Sequence, residues 1–274
     1  IRLSLVGSEM CIRDRVRLTA PARISLAPDG RISLAEANLT SNRGGRLRLE
    51  GFWSDQEIAL NAALNALPIA PFAALAVPEA QLAGTLSGSA KVTGSAAEPR
   101  FEARLESPGI TSALPAARGV PPLRLVASAS GSMAGAEARL ALNGGNVVRL
   151  AANARLGGLT PEATLTGSVT GRLDLSALAQ PLLAAGAQRV GGTANLNIQL
   201  AGTLATPRLG GQASIANGSF RDLQLGVALN DITAGIAAED QRLNLTGFAA
   251  RTSGGGSIRG TGALDLGKPR LPFD

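Results

Sequence analysis

The chain has no histidine and no tyrosine, one cysteine, one tryptophan and two methionines among its 274 residues. Without histidine it lacks the commonest general base and the commonest neutral metal ligand, so most hydrolytic mechanisms lose their usual proton acceptor. The lone Cys11 excludes an internal disulfide and a thiolate metal cluster. Apart from Cys11 the chain is cysteine-free, which suits an oxidising compartment without proving one. Aromatic residues make up 3% of the chain, so large rigid side chains contribute little to any core. No apolar run reaches the roughly 18 residues of a membrane-spanning helix; Ala59 to Val77 comes closest and is interrupted by Asn61, Asn65, Pro68 and Pro71. No signal peptide is visible, so for an exported protein the leader or anchor is expected upstream of this fragment.

The residues that dominate are small and apolar. Hydrophobic residues are 45% and charged residues 17%, enough for a sizeable core and against disorder. Glycine is 34 of 274 residues, well above the usual ~7%. The net charge of +6 and the pI near 11.0 suggest a nucleic-acid partner first. The cations are almost all arginine, scattered singly or in close pairs such as Arg46 with Arg48 or Arg149 with Arg155. With no basic run and no interleaved aromatics, no nucleic-acid partner is expected.

The opening IRLSLVGSEMCIRDR stands apart from the rest of the chain. It holds the only Cys, one of two Met and a dense charge cluster, and it resembles a translated sequencing-adapter artefact. Residues 1–15 are assigned no function, and 16–274 are expected to form one continuous repetitive β domain.

The dominant period is two. From 163 to 175, Ala163, Leu165, Gly167, Val169, Gly171, Leu173 and Leu175 alternate with Thr164, Thr166, Ser168, Thr170, Arg172 and Asp174, the pattern of a long strand buried on one side. Leu196, Ile198 and Leu200 alternate likewise with Asn195, Asn197 and Gln199, and Leu82–Val92, Val148–Leu156 and Arg242–Thr246 behave similarly. Helices are expected within Ala59–Ala76 and Leu175–Ala187, the latter capped by Asp174 or Ser176. Turns are expected at Pro28–Gly30, Asn143–Gly145, Asn217–Gly218 and Ser253–Gly256.

The chain also repeats itself. GTLSGSAKVTGSAAEPRF from Gly84 and GTANLNIQLAGTLATPRL from Gly192 share Gly84/Gly192, Thr85/Thr193, Gly94/Gly202, Pro99/Pro207 and Arg100/Arg208. RISL at Arg31 and RLNL at Arg242 each lead to a glycine pair, Gly44–Gly45 or Gly255–Gly256. The spacings imply units of about 105 residues, near 55–160 and 163–266, that extend a sheet in one dimension. Gly94 and Gly202 are placed to kink a strand, and Pro99 and Pro207 to begin the next without needing a ladder donor.

These motifs, G-T, an alternating strand and then G-[ST]-x-x-x-P-R-[FL], together with the closing passage from Gly218 to Leu266, resemble the C-terminal half of TamB-type translocation and assembly module proteins of the AsmA-like, bridge-like lipid transfer family. The resemblance covers residues 29–274 and is one of strands and turns, with no catalytic signature. It implies a mainly β fold: a long repetitive sheet rolled lengthwise into an open apolar groove, β-taco or β-solenoid-like, with one or two short helices. It further implies a periplasmic protein anchored in the inner membrane through an absent N-terminal segment. Its partners would be phospholipid acyl chains and, through the full-length protein, a TamA-like outer-membrane barrel. The groove would be lined by Leu165, Val169, Leu173, Leu196, Ile198, Leu200, Leu243 and Leu245.

The alternation by itself favours a closed sandwich or β-helix with a dry core, the open groove resting on the resemblance, and a structural or adhesive solenoid is the alternative function. An enzyme, a cofactor and a metal are not expected. Ser89 and Lys91 share a strand face, but their spacing is not S-x-x-K and Gly88 breaks the motif. Glu239 and Asp240 suit a solvated turn, no nucleotide or calcium loop occurs, and Asn38, Asn217 and Asn244 stand in N-x-[ST] sequons to which no role is given.

Overall fold

In a computed structural model the chain is mainly β, 71% strand and 6% helix. The structure describes residues 2–5, 16–76, 78–114, 117–179, 188–239 and 242–265. The strands are β1 (Arg2–Leu5), β2 (Val16–Leu18), β3 (Ala22–Leu26), β4 (Ile32–Ser41), β5 (Arg46–Trp53), β6 (Ile58–Pro68), β7 (Leu82–Ala83), β8 (Thr85–Gly94), β9 (Pro99–Ser112), β10 (Leu123–Ser132), β11 (Gly135–Gly144), β12 (Val148–Leu156), β13 (Leu165–Asp174), β14 (Gln188–Gly202), β15 (Pro207–Asp222), β16 (Val227–Glu239), β17 (Arg242–Thr252) and β18 (Ser257–Asp265). Two short helices are α1 (Ala70–Ala76) and α2 (Leu175–Ala179). Seventeen strands form one long antiparallel sheet that does not close into a barrel; the two-residue β7 pairs with the end of β9.

The chain divides into two compact units. The first comprises residues 1–112, 124–140 and 157–159, and the second 113–123, 141–156 and 160–274.

In the first unit β4, β5, β6, β8 and β9 pair in order, each antiparallel to the last. Register aligns Ala37, Leu49, Ala62, Ala90 and Ala103 in one row and Leu39, Leu47, Leu64, Gly88 and Leu105 in the next. Residues one step along, such as Asn38, Arg48, Ala63, Ser89 and Arg104, form the opposite face. Arg2–Leu5, within the opening segment to which no function is assigned, pairs with Ala22–Ser25 as a further antiparallel strand.

The second unit carries β12 to β18, paired in sequence order. Helix α2 starts where β13 ends, with the Asp174 carboxylate accepting hydrogen bonds from the Ser176 backbone N–H at 2.9 Å and from the Ser176 hydroxyl. Of the two expected caps, Asp174 is the one that serves; residues 180–187 of the expected helix lie outside the described residues.

Two expectations are corrected. The helix expected within Ala59–Ala76 is α1, confined to Ala70–Ala76; Ala59–Pro68 is not helical but lies in β6, paired on both sides with β5 and β8. Its Ala, Leu and Asn spacing satisfies both periods, and ladder bonds to two neighbours outweigh helix propensity. Asn217–Gly218 is not a turn but a bulge inside β15, Asn217 standing at φ 51°. Adjacent ladders shift register at Gly191/Thr193 and at Asn230/Thr233, so bulges occur in β14, β15 and β16 near one level and bend those strands together.

The repeat is legible in the hairpins. Gly94 faces Pro99 across β8–β9, and Gly202 faces Pro207 across β14–β15. In both loops the hydroxyl after the glycine accepts a backbone N–H at 3.1 Å, Ser95 from Glu98 and Thr203 from Thr206. The glycines stand at φ 104° and 100°, and an added Cβ would come within 2.4 and 2.5 Å of the Glu98 and Thr206 carbonyl oxygens. The glycine-pair turns match too: Gly44 N–H donates to the Ser41 carbonyl and Gly255 N–H to the Thr252 carbonyl, each at 3.1 Å.

Among the described residues the buried apolar side chains are Ala22, Ala37, Ile58, Ala73, Ile110, Val148, Ala163 and Ala250. Most are alanine, so among the described residues few large side chains are fully buried. Ser107 on β9 is 1% exposed and its hydroxyl has no hydrogen-bond partner among the described residues.

Urea denaturation should register these constraints. Gly202→Ala should lose about 1–3 kcal/mol through backbone strain, while Gly254→Ala, with open space around its Cβ, should stay within about 0.5 kcal/mol of the parent. Ser107→Ala should gain about 1 kcal/mol by removing an unsatisfied buried hydroxyl.

Candidate functional site

Antiparallel pairing puts directly opposed residues on the same face, so register alone decides which side chains of the second unit meet. Ala152, Val169, Ile198, Gly211, Ala238 and Leu243 form one row across β12 to β17. Leu150, Gly171, Leu196, Ala213, Ile236 and Leu245 form the next. Leu173 continues through Ala194, Ile215, Ala234 and Phe248, and Gly167 through Leu200 and Leu209. Leu165 lies at the end of this face, opposite Leu156.

All eight residues expected to line an apolar groove therefore share one face of the second unit. Each is half-buried, whereas Thr170, Arg172, Asn195, Asn197, Gln199, Gln212 and Ser214 on the other face are exposed. The apolar face is neither a dry core nor free surface. Apolar area left partly wet is a standing site for an apolar ligand, since each Å² withdrawn from water contributes about 25 cal/mol.

Glycines shape the floor of this face. A Cβ on Gly171 would lie 2.2 Å from Leu150 Cδ2, so the missing side chain is the space into which the neighbouring leucine lies. The face is consequently low, with Leu, Ile and Val standing among Gly and Ala. Ile215, Ala234, Ile236 and Phe248 belong to the face but were not singled out from sequence. Bulges at Ile215/Gly218 and Gly235/Ile236 break the run of two, and no pattern search with a fixed period would carry across them.

The first unit presents a different surface. A concavity of about 920 Å³ opens on its polar side, lined among others by Arg48, Glu50, Asn61, Ser89, Lys91, Glu102, Arg104, Ser128, Glu137 and Arg139. Arg48 bridges Glu36 at 3.0 Å and Glu50 at 2.9 Å, and the hydrogen bond to Glu50 with both negative charges holds its guanidinium above the ordinary arginine range. Arg104–Glu106 and Arg139–Glu137 are looser, each at 3.8 Å. Ser89 and Lys91 lie here, both exposed and opposite Arg104 and Glu102 in the ladder. This is a hydrated ionic surface whose exposed pairs contribute little individually. Among the described residues no three His, Cys, Asp or Glu side chains group as metal ligands, and no helix is long and apolar enough to cross a membrane. Glu239 and Asp240, expected in a solvated turn, lie at the limit of the described residues, Glu239 ending β16 and Asp240 falling outside them.

The fold and its faces define a class: a long antiparallel sheet, apolar on one side in its second unit and polar on the other. No family model, curated protein or solved structure matches the chain.

Two carboxylates in the second unit are held below their usual range. Asp222 is 4% exposed and accepts from the backbone N–H of Leu225 and Gln224, both 2.9 Å, and from Gln188 Nε2 at 2.8 Å. The Leu225 N–H lowers its pKa most, followed by the Gln188 side chain. Asp174 is lowered chiefly by the Ser176 hydroxyl. A folded value below the unfolded ~3.9 means the unfolded chain binds more protons in that range. The stability these carboxylates contribute is therefore full above about pH 4 and lost as pH falls through their folded values. Acid titration of the thermal midpoint should show this loss, and Asp222→Asn should flatten it.

Proposed function

We propose that the protein is a periplasmic bridge segment that carries phospholipid along the apolar face of the second unit, between inner and outer membrane, in support of outer-membrane assembly. The observation that supports this reading is the alignment of eight half-buried aliphatic side chains into continuous apolar rows across β12 to β17. Acyl chains need a face without strong individual sites, so that they slide; Leu, Ile, Val, Ala and Gly supply such a face, and the near absence of aromatics keeps it from being filled by its own side chains. The outward Asn, Gln, Thr and Arg keep the opposite side solvated. The TamB-like order of strands and turns supports the same reading and supplies the compartment and the TamA-like partner.

A filled-core structural or adhesive solenoid would instead need these side chains buried against one another. Native mass spectrometry with lipid extraction, on protein purified from a bacterial periplasm, separates the two. Stoichiometric phospholipid is expected; folded, lipid-free protein would rule out a loaded groove and leave the solenoid. Ile198→Arg places a charge in the middle of the apolar rows and should lower lipid occupancy on the order of tenfold, while Asn197→Arg on the solvated face should leave it unchanged.

A further inference from the structure

Hairpin tips usually carry Asn, Asp, Gly or Ser, and the β17–β18 tip, Ser253–Gly256, follows that rule. The β15–β16 tip follows it only at Gly226. It reads Leu223, Gln224, Leu225, Gly226, with Leu223 60% and Leu225 77% exposed and Val227 just behind them 41% exposed. Apolar side chains so placed are not loose ends. The buried Asp222 carboxylate ties down the backbone N–H groups of Gln224 and Leu225 and is itself held by Gln188, so the two leucines are fixed outward at the tip.

Behind the tip, one face of the same strands is cationic. Arg189 on β14 stands directly opposite Arg221 on β15, an arrangement of like charges that is unfavourable by itself. Both are exposed, and neither has an ion-pair partner among the described residues. Arg221 faces Ala228, and two residues further along β16 Asn230 faces Arg251, which puts the third arginine on that same face. Among the described residues Arg251 pairs with Asp231, at 3.9 Å with both side chains more than 70% exposed. Two outward leucines on a braced turn, backed by three arginines of which Arg251 alone has a counter-charge among the described residues, an exposed one, complement a surface with an apolar interior beneath a layer of anions.

We infer that the β15–β16 tip is a membrane-docking element: Leu223 and Leu225 enter the headgroup and acyl boundary of a bilayer while Arg189, Arg221 and Arg251 engage anionic lipid headgroups. This goes beyond carriage along the apolar face, because docking at a bilayer does not depend on which face holds lipid.

The test is flotation of the full chain with vesicles of phosphatidylcholine alone and of phosphatidylcholine mixed with phosphatidylglycerol. Binding is expected to the mixed vesicles, weakening as salt rises. Leu223→Ser with Leu225→Ser should weaken it on the order of tenfold, and Arg189→Gln or Arg221→Gln by roughly fivefold each, with lipid occupancy by native mass spectrometry unchanged. In a Leu225→Trp variant made in a Trp53→Phe background, the emission should shift to the blue on adding mixed vesicles. Absence of vesicle binding, equal binding to both compositions, or leucine variants that bind like the parent would overturn the inference. So would dimerisation abolished by the leucine changes without vesicle binding, which would make a second copy of the chain the occupant. Vesicle docking with no lipid on the apolar face would leave this inference standing and remove the proposed carriage.

Discussion

A slip of one residue between β13 and β14 would turn Leu196, Ile198 and Leu200 to the side that carries Thr170 and Arg172, and would leave Asn195, Asn197 and Gln199 facing Val169 and Leu173. Cross-strand register is the constraint on which the rest of the molecule depends, because side chains of a strand alternate with a period of two and one misplaced pairing inverts a whole face. In the second unit that register holds across six strands, from Leu150 and Ala152 to Leu243 and Leu245. The consequence is a chemically uniform face built from residues far apart in sequence.

Register is set at the hairpins. The G-[ST]-x-x-x-P loop closes β8 on β9 and β14 on β15 with the same two contacts: a glycine at positive φ pressed against the carbonyl oxygen four residues on, and a hydroxyl accepting the backbone N–H three residues on. Proline then begins the next strand opposite that glycine. The recurrence of these residues is therefore a recurrence of turn chemistry, and each turn fixes which residues meet for the length of the strands it joins.

Bulges do the complementary work. At Asn217–Gly218, and in the neighbouring ladders at Gly191/Thr193 and Asn230/Thr233, the strands admit extra residues, so the ends of β14, β15 and β16 are bent and their facing is reset. Beyond that line lie Arg189, Arg221 and the leucine tip; before it lie Leu196, Ile198 and Ala213. One set of strands thus carries an apolar face along its length and a cationic, leucine-tipped end. Charge elsewhere is spread over exposed positions, where pairs such as Arg48 with Glu36 and Glu50 add solubility more than cohesion.

Alternation and turn residues by themselves determined the mainly β character, the positions of β8, β12, β13 and β14, the repeated hairpins, a helix cap at Asp174 or Ser176 and the apolar side of β13, β14 and β17. Each of these is a local property of strand period, glycine conformation or side-chain hydrogen bonding. Only the tertiary structure decided that Ala59–Pro68 is a strand, since a segment that suits two periods takes the one its neighbours can pair with. Only it decided that Asn217–Gly218 bends a strand without ending it, because that depends on β16 lying alongside. The placing of Leu165, Ile198 and Leu245 on a single face, and of Arg189 against Arg221 behind the leucine tip, likewise belongs to the ladder: a period tells which residues of one strand share a side, and pairing alone tells which sides of different strands coincide.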